Sequence, residues 1–335
     1  MRKIKKTTAL LLALIMLLSV VPVMAFADAP TQYDTKGYSN GFGYSYDEKG
    51  NLWVTDVSNK ALSSYDIPSK LNGKSVYGIG SLMFCDCTKE FQINIPDSVK
   101  EIDQYAFDGG ADGPDSVGPK ITKITVNANN ANYSSDSYGV LFNKNKTELI
   151  ICPSATAMTK YTIPATVTKI DEGAFYKCKN IKSFETSDNV TKIGRAAFDS
   201  CGAYNDSSNW DNGVLYIGKY AICSDIENMV SDVVIKDGTT IIADEAFPVC
   251  EKITIPESVK YIGSDICYAS DDVTIYCYKD SAAHKYAQEN DISYSLIDGS
   301  NGILSVILDI FPVIIQVVVN IAKFLFSVIS NIVVK

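Results

Sequence analysis

The sequence predicts a solenoid of short β-strands, turns and short helices, and three observations lead to this fold class. First, an isoleucine is followed five positions later by a large apolar residue, usually preceded by alanine. This pair recurs as Ile79–Phe84, Ile102–Phe107, Ile170–Phe175, Ile193–Phe198, Ile242–Phe247 and the degenerate Ile262–Cys267. Second, an Ile-Pro pair stands upstream of most copies. Third, successive isoleucines are 23, 68, 23, 49 and 20 residues apart, so one unit spans 20 to 23 residues.

A period of 20–29 residues is the signature of a leucine-rich-repeat solenoid, whose units bury their apolar side chains only against their neighbours. We therefore expect short parallel strands stacked along one axis. A repeat array of this kind favours binding over catalysis as the function of the chain.

Residues 1–27 have the features of a secretory signal peptide. The chain begins MRKIKK, continues with an apolar run from Ala9 to Val23 and reaches Ala25-Phe26-Ala27. A basic head, a short apolar stretch and small residues before the cleavage point are typical of such signals. We expect cleavage after Ala27 and export from a bacterial cell.

The charge of the chain excludes several classes of partner. The net charge is −9, and removal of residues 1–27 takes away four basic and no acidic residues, which makes it −13. Nucleic-acid phosphates would be repelled by such a surface, and no polybasic segment is present to bind anionic lipids. No dinucleotide-binding or P-loop glycine motif occurs, so we predict no cofactor.

Residues 28–66 contain no copy of the repeat. The segment GYSYDEKGNLWVTDV predicts two alternating strands around a turn at Asp47–Asn51, with Gly50 at a positive φ. Because solenoids need end caps, we expect this β-hairpin to be the N-terminal cap.

Residues 67–297 hold the repeats, with insertions at 108–120, 132–153 and 202–223. Each unit is predicted to contribute a short strand just before Ile-Pro, because proline cannot donate to a strand ladder. The segments NYSSDSYGVLFNKNKTELIICP and NGVLYIGKYAIC resemble one another and predict hairpin-type units inside the array. The segment DSAAHKYAQEN at 280–290 predicts a closing helix with Asp280 or Ser281 as its N-cap and Asn290 at its end.

The unit IP-x-x-V-x-x-I-x-x-x-A-F-x-x-C, the NGVLF-type insertion and the closing helix with Tyr286-Ala287 resemble the BspA-like leucine-rich repeats over residues 67–297. This resemblance implies a right-handed solenoid, a bacterial cell-surface location, and binding to host or neighbouring-cell proteins rather than catalysis. The chain departs from the family pattern in having few complete units and large insertions.

Five of the nine cysteines follow the repeat. Four of them fall three residues after the repeat phenylalanine, and a fifth replaces that phenylalanine: Cys87, Cys178, Cys201, Cys250 and Cys267. This recurrence predicts small buried apolar residues in a stacked ladder, with a Cys178–Cys201 disulfide as the alternative. A zinc site is disfavoured because C-x-x-C pairs are missing. The odd count requires at least one free thiol.

The sequence offers weak candidates for catalysis or metal binding. The single histidine, His284, lies in the closing helix and is expected on its surface. The pairs Asp171-Glu172 and Asp244-Glu245 have the residue types of a glycosidase, but they occupy one turn of the repeat and are expected to be solvated. The acidic segment from Asp108 to Asp115 lacks calcium-loop spacing. We predict no metal and no catalytic residue.

Strand alternation predicts a candidate binding face. If isoleucines and valines of the repeat strands point inward, the residues between them point to solvent. These exposed candidates for protein or glycan contact are Asn94, Thr125, Thr162, Thr254, Thr274 and Tyr276. Because threonine is favoured in strands for structural reasons alone, the row is also consistent with a purely structural role.

Residues 298–335 differ from the rest in being overwhelmingly apolar between Ile303 and Val334. Their polar residues fall within about a 100° arc of a helix, because their spacings are nearly all 3, 4 or 7; they are Ser305, Asp309, Gln316, Asn320, Lys323, Ser327, Ser330 and Asn331. A helix apolar around most of its circumference is buried or lies in a membrane. We predict a membrane-associated helix, with a helix bundle of several copies as the alternative.

Together these patterns predict an exported cell-surface adhesion protein. Its solenoid is expected to bind a host or neighbouring-cell protein or glycan, and its tail to hold it on the membrane and permit self-association. The alternatives are a glycan-active enzyme that uses carboxylates and a structural envelope component assembled through its tail.

Overall fold

The computed structural model describes residues 30–31, 34–108, 118–225, 230–270 and 272–297. The predicted signal peptide at 1–27, the tail at 298–335 and most of the acidic insertion at 108–120 lie outside the described residues. The described chain is a solenoid made mostly of β-strands, and its α-helix, α1 (Ala282–Glu289), is the only one in these ranges.

The solenoid consists of three successive parts that share one topology. The first part holds nine strands: β1 (Gly37–Ser39), β2 (Phe42–Tyr46), β3 (Leu52–Val57), β4 (Ser64–Asp66), β5 (Lys70–Leu71), β6 (Lys74–Ile79), β7 (Glu90–Ile95), β8 (Glu101–Ile102) and β9 (Lys120–Val126). Strands β1, β2 and β3 form an antiparallel meander. Its last strand pairs in parallel with β6, and β6 pairs with β8. Strands β4, β7 and β9 form a separate parallel sheet.

The second part repeats this arrangement with β10 (Tyr133–Ser135), β11 (Leu141–Asn143), β12 (Glu148–Ile151), β13 (Lys160–Thr162), β14 (Lys169–Ile170), β15 (Ser183–Glu185) and β16 (Lys192–Ile193). The meander β10-β11-β12 continues in parallel into β14 and β16. Strands β13 and β15 form the separate parallel sheet.

The third part begins with a 3₁₀ turn, η1 (Ser207–Asn209). It then holds β17 (Trp210–Asp211), β18 (Val214–Ile217), β19 (Tyr220–Ser224), β20 (Asp232–Val234), β21 (Ile241–Ile242), β22 (Lys252–Thr254), β23 (Tyr261–Ile262), β24 (Thr274–Cys277), α1 and β25 (Ser293–Leu296). The meander β17-β18-β19 continues in parallel into β21 and β23, while β20, β22, β24 and β25 form the separate sheet.

The meanders confirm that the two insertions are hairpin-type units. The hairpin predicted around Asp47–Asn51 is present as β2 and β3, with Gly50 at a φ of 79°, and it is part of the same kind of meander. The first hairpin turn of each meander places a glycine at a positive φ: Gly41 at 85°, Gly139 at 85° and Gly213 at 77°. The alternation predicted for β3 is wrong, since all six of its residues are buried.

The repeat strands confirm the expected parallel stacking. Strands β7, β9, β13, β22 and β24 lie where the segments before Ile-Pro, or their equivalents, predicted them. The predicted closing helix is present as α1, with Ser281 as its N-cap and Asn290 as its C-cap. One further strand, β25, follows it and pairs in parallel with β24.

The repeat phenylalanines are buried as predicted, with exposed fractions of 7% for Phe107 and 0% for Phe175, Phe198 and Phe247. They do not form one continuous column. Phe175 stacks on Phe198 with ring centroids 5.1 Å apart, whereas Phe107 and Phe247 belong to two other core clusters. The meanders explain this interruption, because their coils carry no Ala-Phe pair.

The cysteine ladder is broken in the last part of the solenoid. Cys250 and Cys267 form a disulfide with a Cα–Cα distance of 6.1 Å, so the prediction of unbridged apolar residues is wrong for this pair. Cys267 replaces the repeat phenylalanine and packs, partly buried, against the core cluster that contains Cys250. Cys178 and Cys201 are buried and unbridged.

Candidate binding surface

The strands that carry the predicted face alternate as expected. The inward residues Ile93, Ile124, Ile253 and Ile275 are fully buried. Their neighbours point outward: Thr125 and Thr162 are exposed, while Asn94, Thr254, Thr274 and Tyr276 are half-buried. Val126 was expected to point inward and is only partly buried, at the edge of the core.

Strand register places most of the predicted residues in three short rows, one in each separate parallel sheet, and we name these rows together the outer row. Its members in the three separate parallel sheets are Asp66, Asn94 and Thr125, then Thr162 and Glu185, then Val234, Thr254, Tyr276 and Ser295. Thr274 does not belong to it. It pairs with Lys252 two residues earlier along the strand, so the prediction grouped residues from two adjacent rows.

In the first two sections of the outer row, four polar side chains are hydrogen-bonded within the chain. The Thr162 hydroxyl donates to a Glu185 carboxylate oxygen over 2.6 Å, and the Lys160 ammonium donates to the other oxygen over 2.5 Å. In the first sheet the Asn94 amide donates to the Asp66 carboxylate. Exposed pairs of this kind contribute at most about 1 kcal/mol to stability, but they leave fewer groups to recognise a ligand.

The third section is chemically different, and we name its three adjoining residues Val234, Thr254 and Tyr276 the Tyr276 patch. The Val234 side chain is 55% exposed. Thr254 lies between Val234 and Tyr276 in the register. In the described part of the chain, neither the Thr254 nor the Tyr276 hydroxyl has a hydrogen-bond partner. Neighbouring strands are about 4.8 Å apart, so the patch presents two methyl-bearing side chains, a phenol ring and two hydroxyls over about 10 Å.

The acidic turns are built into the coil rather than simply solvated. The Asp171 and Asp244 side chains are only 24% and 13% exposed, so the prediction of solvated aspartates is wrong. Asp171 accepts the Lys169 ammonium at 2.6 Å, and Asp244 accepts the Ser264 backbone N–H at 2.9 Å. Asp244 joins neighbouring coils through this bond, whereas Asp171 pairs with a lysine of its own coil.

The glutamates of the same turns form a bridged network around one arginine. The Arg195 guanidinium lies 2.6 Å from the Glu172 carboxylate and 3.8 Å from that of Glu245. Burial raises the pKa of Asp171 to about 6, and the Lys169 ammonium opposes this shift. A raised carboxyl pKa is a property of some general acids, but here the carboxyl is engaged by a structural lysine.

His284 is buried, with 8% exposure, which contradicts its predicted place on the helix surface. Its Nδ1 atom accepts the Asp280 backbone N–H over 3.1 Å, and its ring packs edge-on against Tyr294 with centroids 4.7 Å apart. The imidazole therefore holds α1 against β25.

The described residues contain no group of three or more His, Cys, Asp or Glu side chains arranged to hold a metal ion. A search of the same residues finds no helix with the length and apolarity needed to cross a membrane. The acidic stretch beyond Asp108, once considered for calcium, is outside this part of the chain.

Sequence reasoning missed four members of the outer row: Asp66, Glu185, Val234 and Ser295. Asp66 directly precedes an Ile-Pro pair, so the strand rule already contained the signal for it. Glu185, Val234 and Ser295 lie in strands that have no Ile-Pro pair after them, and only their pairing with recognised strands reveals them.

Comparison with known proteins identifies the repeat. The family described as BspA type leucine-rich repeat region matches in six copies over residues 55–138, 152–274 and 226–287. No curated protein matches the sequence significantly.

Three solved structures illustrate the similarity. A leucine-rich repeat protein from Eubacterium ventriosum is 23% identical with a TM-score of 0.34; the match covers 64% of this chain and 48% of that protein, about half its length. A leucine-rich cell surface protein from Faecalibacterium prausnitzii is 18% identical with a TM-score of 0.29 and coverages of 77% and 97%. The pneumococcal vaccine antigen PcpA is 14% identical with a TM-score of 0.30 and coverages of 78% and 98%.

The family match extends over more than half of the chain and includes the repeat positions on which the sequence resemblance rested. The chain therefore belongs to the family of BspA-type leucine-rich repeat proteins.

Proposed function

We propose that this chain is an exported cell-surface protein that binds a protein or glycan partner and catalyses no reaction. The observation that carries this proposal is the Tyr276 patch. Its hydroxyls form no hydrogen bonds within the described chain, whereas Asp66, Asn94, Thr162 and Glu185 of the outer row are bonded to one another in pairs.

The chemistry of the patch suits a partner surface of mixed polarity. Tyrosine is enriched at the centres of protein interfaces, because it combines a large apolar ring with one hydrogen-bonding group. Val234 and the Thr254 methyl group extend the apolar contact, and Lys252 with Thr274 borders it with polar groups. The same ring offers a stacking face to a sugar.

Export and retention belong to the proposal through the two ends of the chain. Residues 1–27 serve as a cleaved signal peptide, and the apolar segment 303–334 holds the mature protein on the outer side of a membrane. The meander within 28–66 acts as the N-terminal cap. In support of this role, Tyr65 of the end strand β4 is only 2% exposed.

The test is saturable binding by the full chain, purified in mild detergent, to an array of surface glycoproteins, matrix proteins and glycans. We expect at least one ligand to bind saturably and to be recovered with unchanged mass after prolonged incubation. A ligand that is cleaved or modified would refute the absence of catalysis, and an array without saturable binding would refute the binding role.

A further inference from the structure

The inward-facing apolar rows of the last sheet reach β25 but are not covered there. Ile275 and Cys277 of β24 are fully buried. Their register partners on β25, Tyr294 and Leu296, are 41% and 42% exposed. Core positions of the solenoid therefore continue by one strand beyond the last coil that buries them.

The opposite end of the same face is finished differently. Strand β4 is also an end strand, yet its inward Tyr65 is only 2% exposed. Its hydroxyl donates to the Asn59 carbonyl over 2.8 Å, and Asp66 gives this strand an exposed charge. Natural edge strands are protected by charges, prolines or covering segments. Strand β4 has a charge at Asp66 and a segment at Asn59 that contacts its inward tyrosine.

The free side of β25 has no such protection within the described residues. Its sequence, Ser-Tyr-Ser-Leu, contains no charge and no proline. The Ile297 N–H bonds to the Cys277 carbonyl, so alternate residues of this parallel ladder point their backbone groups away from β24. These are Tyr294 and Leu296, the same two residues whose side chains are uncovered.

We propose that β25 is a self-association strand and that its occupant is β25 of a second copy of this chain, paired antiparallel about a twofold axis. An axis at Ser295 sets Tyr294 opposite Leu296 of the second copy. In this register the outward N–H and C=O groups of both residues bond across the axis. The two uncovered apolar side chains also meet on the inward face, as an isologous contact requires.

Charge and chain direction favour a second copy as the occupant. A strand without charges lets two chains of net charge −9 approach without a like-charge pair in the contact. In both copies 38 residues follow Ile297. At about 3.3 Å per residue, the two Ile297 residues lie about 7 Å from the axis on opposite sides of it. Antiparallel pairing therefore directs the two strand ends away from each other and leaves the contact unobstructed.

The direct test is photo-crosslinking of the full chain in mild detergent with p-benzoylphenylalanine in place of Tyr294, using an equal mixture of ¹⁵N-labelled and unlabelled protein. We expect mixed-isotope adducts between residue 294 and the peptide that contains Leu296. Tyr38, which is 55% exposed at the other end of the solenoid, provides the control position and should give no such adduct.

A second measurement compares sedimentation of Leu296→Lys and Val234→Lys in the same detergent. Both changes place a lysine at an exposed apolar residue of one sheet, but only the first lies in the proposed contact. We expect Leu296→Lys to weaken dimerisation at least tenfold and Val234→Lys to leave it unchanged. Adducts only within one chain to residues 303–334, a monomeric wild-type chain, or dimers indifferent to Leu296→Lys would each overturn the proposal.

Discussion

A left-handed backbone position recurs in the repeat turns and allows two substitutions with opposite effects on stability. The third residue after the repeat isoleucine has a positive φ in five coils: Leu82 at 58°, Gly173 at 63°, Ala196 at 52°, Glu245 at 53° and Asp265 at 50°. Only one of these residues is glycine. For the other four, the left-handed conformation costs about 1–2 kcal/mol each.

Ala196→Gly should therefore stabilise the protein, and Gly173→Ala in the adjacent coil should destabilise it. Ala196 is exposed, so removing its methyl group loses little packing. Glycine costs about 0.5–1 kcal/mol in unfolded-chain entropy, which leaves a net gain of about 0.5–1 kcal/mol for Ala196→Gly. At Gly173 an added Cβ meets nothing closer than the Tyr176 Cβ at 3.8 Å, so a loss of about 1 kcal/mol comes from the backbone alone.

The assay is equilibrium urea unfolding of the two variants, with Ala197→Gly as the control. Ala197 is fully buried and is not among the positive-φ residues, so this substitution should destabilise by about 1–2 kcal/mol through lost packing and entropy. A destabilised Ala196→Gly, or a Gly173→Ala as stable as wild type, would show that backbone strain does not govern these turns.

Three further predictions concern the core, the disulfide and the buried carboxyl. Phe198→Ala should cost about 3–5 kcal/mol of unfolding free energy, against at most about 1 kcal/mol for Leu62→Ala at a 43% exposed position; equal losses would contradict the assigned repeat register. Reduction of the Cys250–Cys267 disulfide, which spans a sequence separation of 17 residues, should lower the free energy of unfolding by about 3 kcal/mol. The stability of Cys250→Ala should not respond to reductant, and a wild-type protein equally insensitive to reductant would argue against the disulfide. Because the Asp171 pKa rises from 3.8 to about 6 on folding, the folded state binds a proton there more tightly, and the free energy of unfolding should fall as pH rises from about 4 to 6. Asp171→Asn should reduce this dependence of stability on pH. An unchanged dependence in the variant would assign the titration to another group.

The periodic part of the fold was predictable from sequence because each coil must bury the same positions. Isoleucine before proline and the Ala-Phe pair mark a strand end and an inward turn wherever they occur. The Ile-Pro pairs predict β7, β13 and β22 from the sequence alone. The meander in residues 28–66 carries neither mark, and its similarity to the two insertions depends on a glycine turn too short to detect alone.

The candidate surface was predictable only in part, for two physical reasons. Strand alternation gives the side to which a residue points but not its partners, so Thr274 was grouped with a row that register separates by two residues. Similarly, Cys250 occupies the same repeat position as Cys178 and Cys201. Only the replacement of phenylalanine by Cys267 in the next coil makes a disulfide there possible.

The most direct test of the binding role is the dissociation constant of the ligand found on the array, measured for Tyr276→Ala and Thr162→Ala. Both residues lie in the outer row, but the Thr162 hydroxyl is bonded to Glu185, whereas the Tyr276 hydroxyl has no partner in the described chain. We predict that Tyr276→Ala weakens binding at least tenfold and that Thr162→Ala changes it less than twofold, with both variants as stable as wild type within about 0.5 kcal/mol. Equal affinity of wild type and Tyr276→Ala would contradict the assignment of this surface.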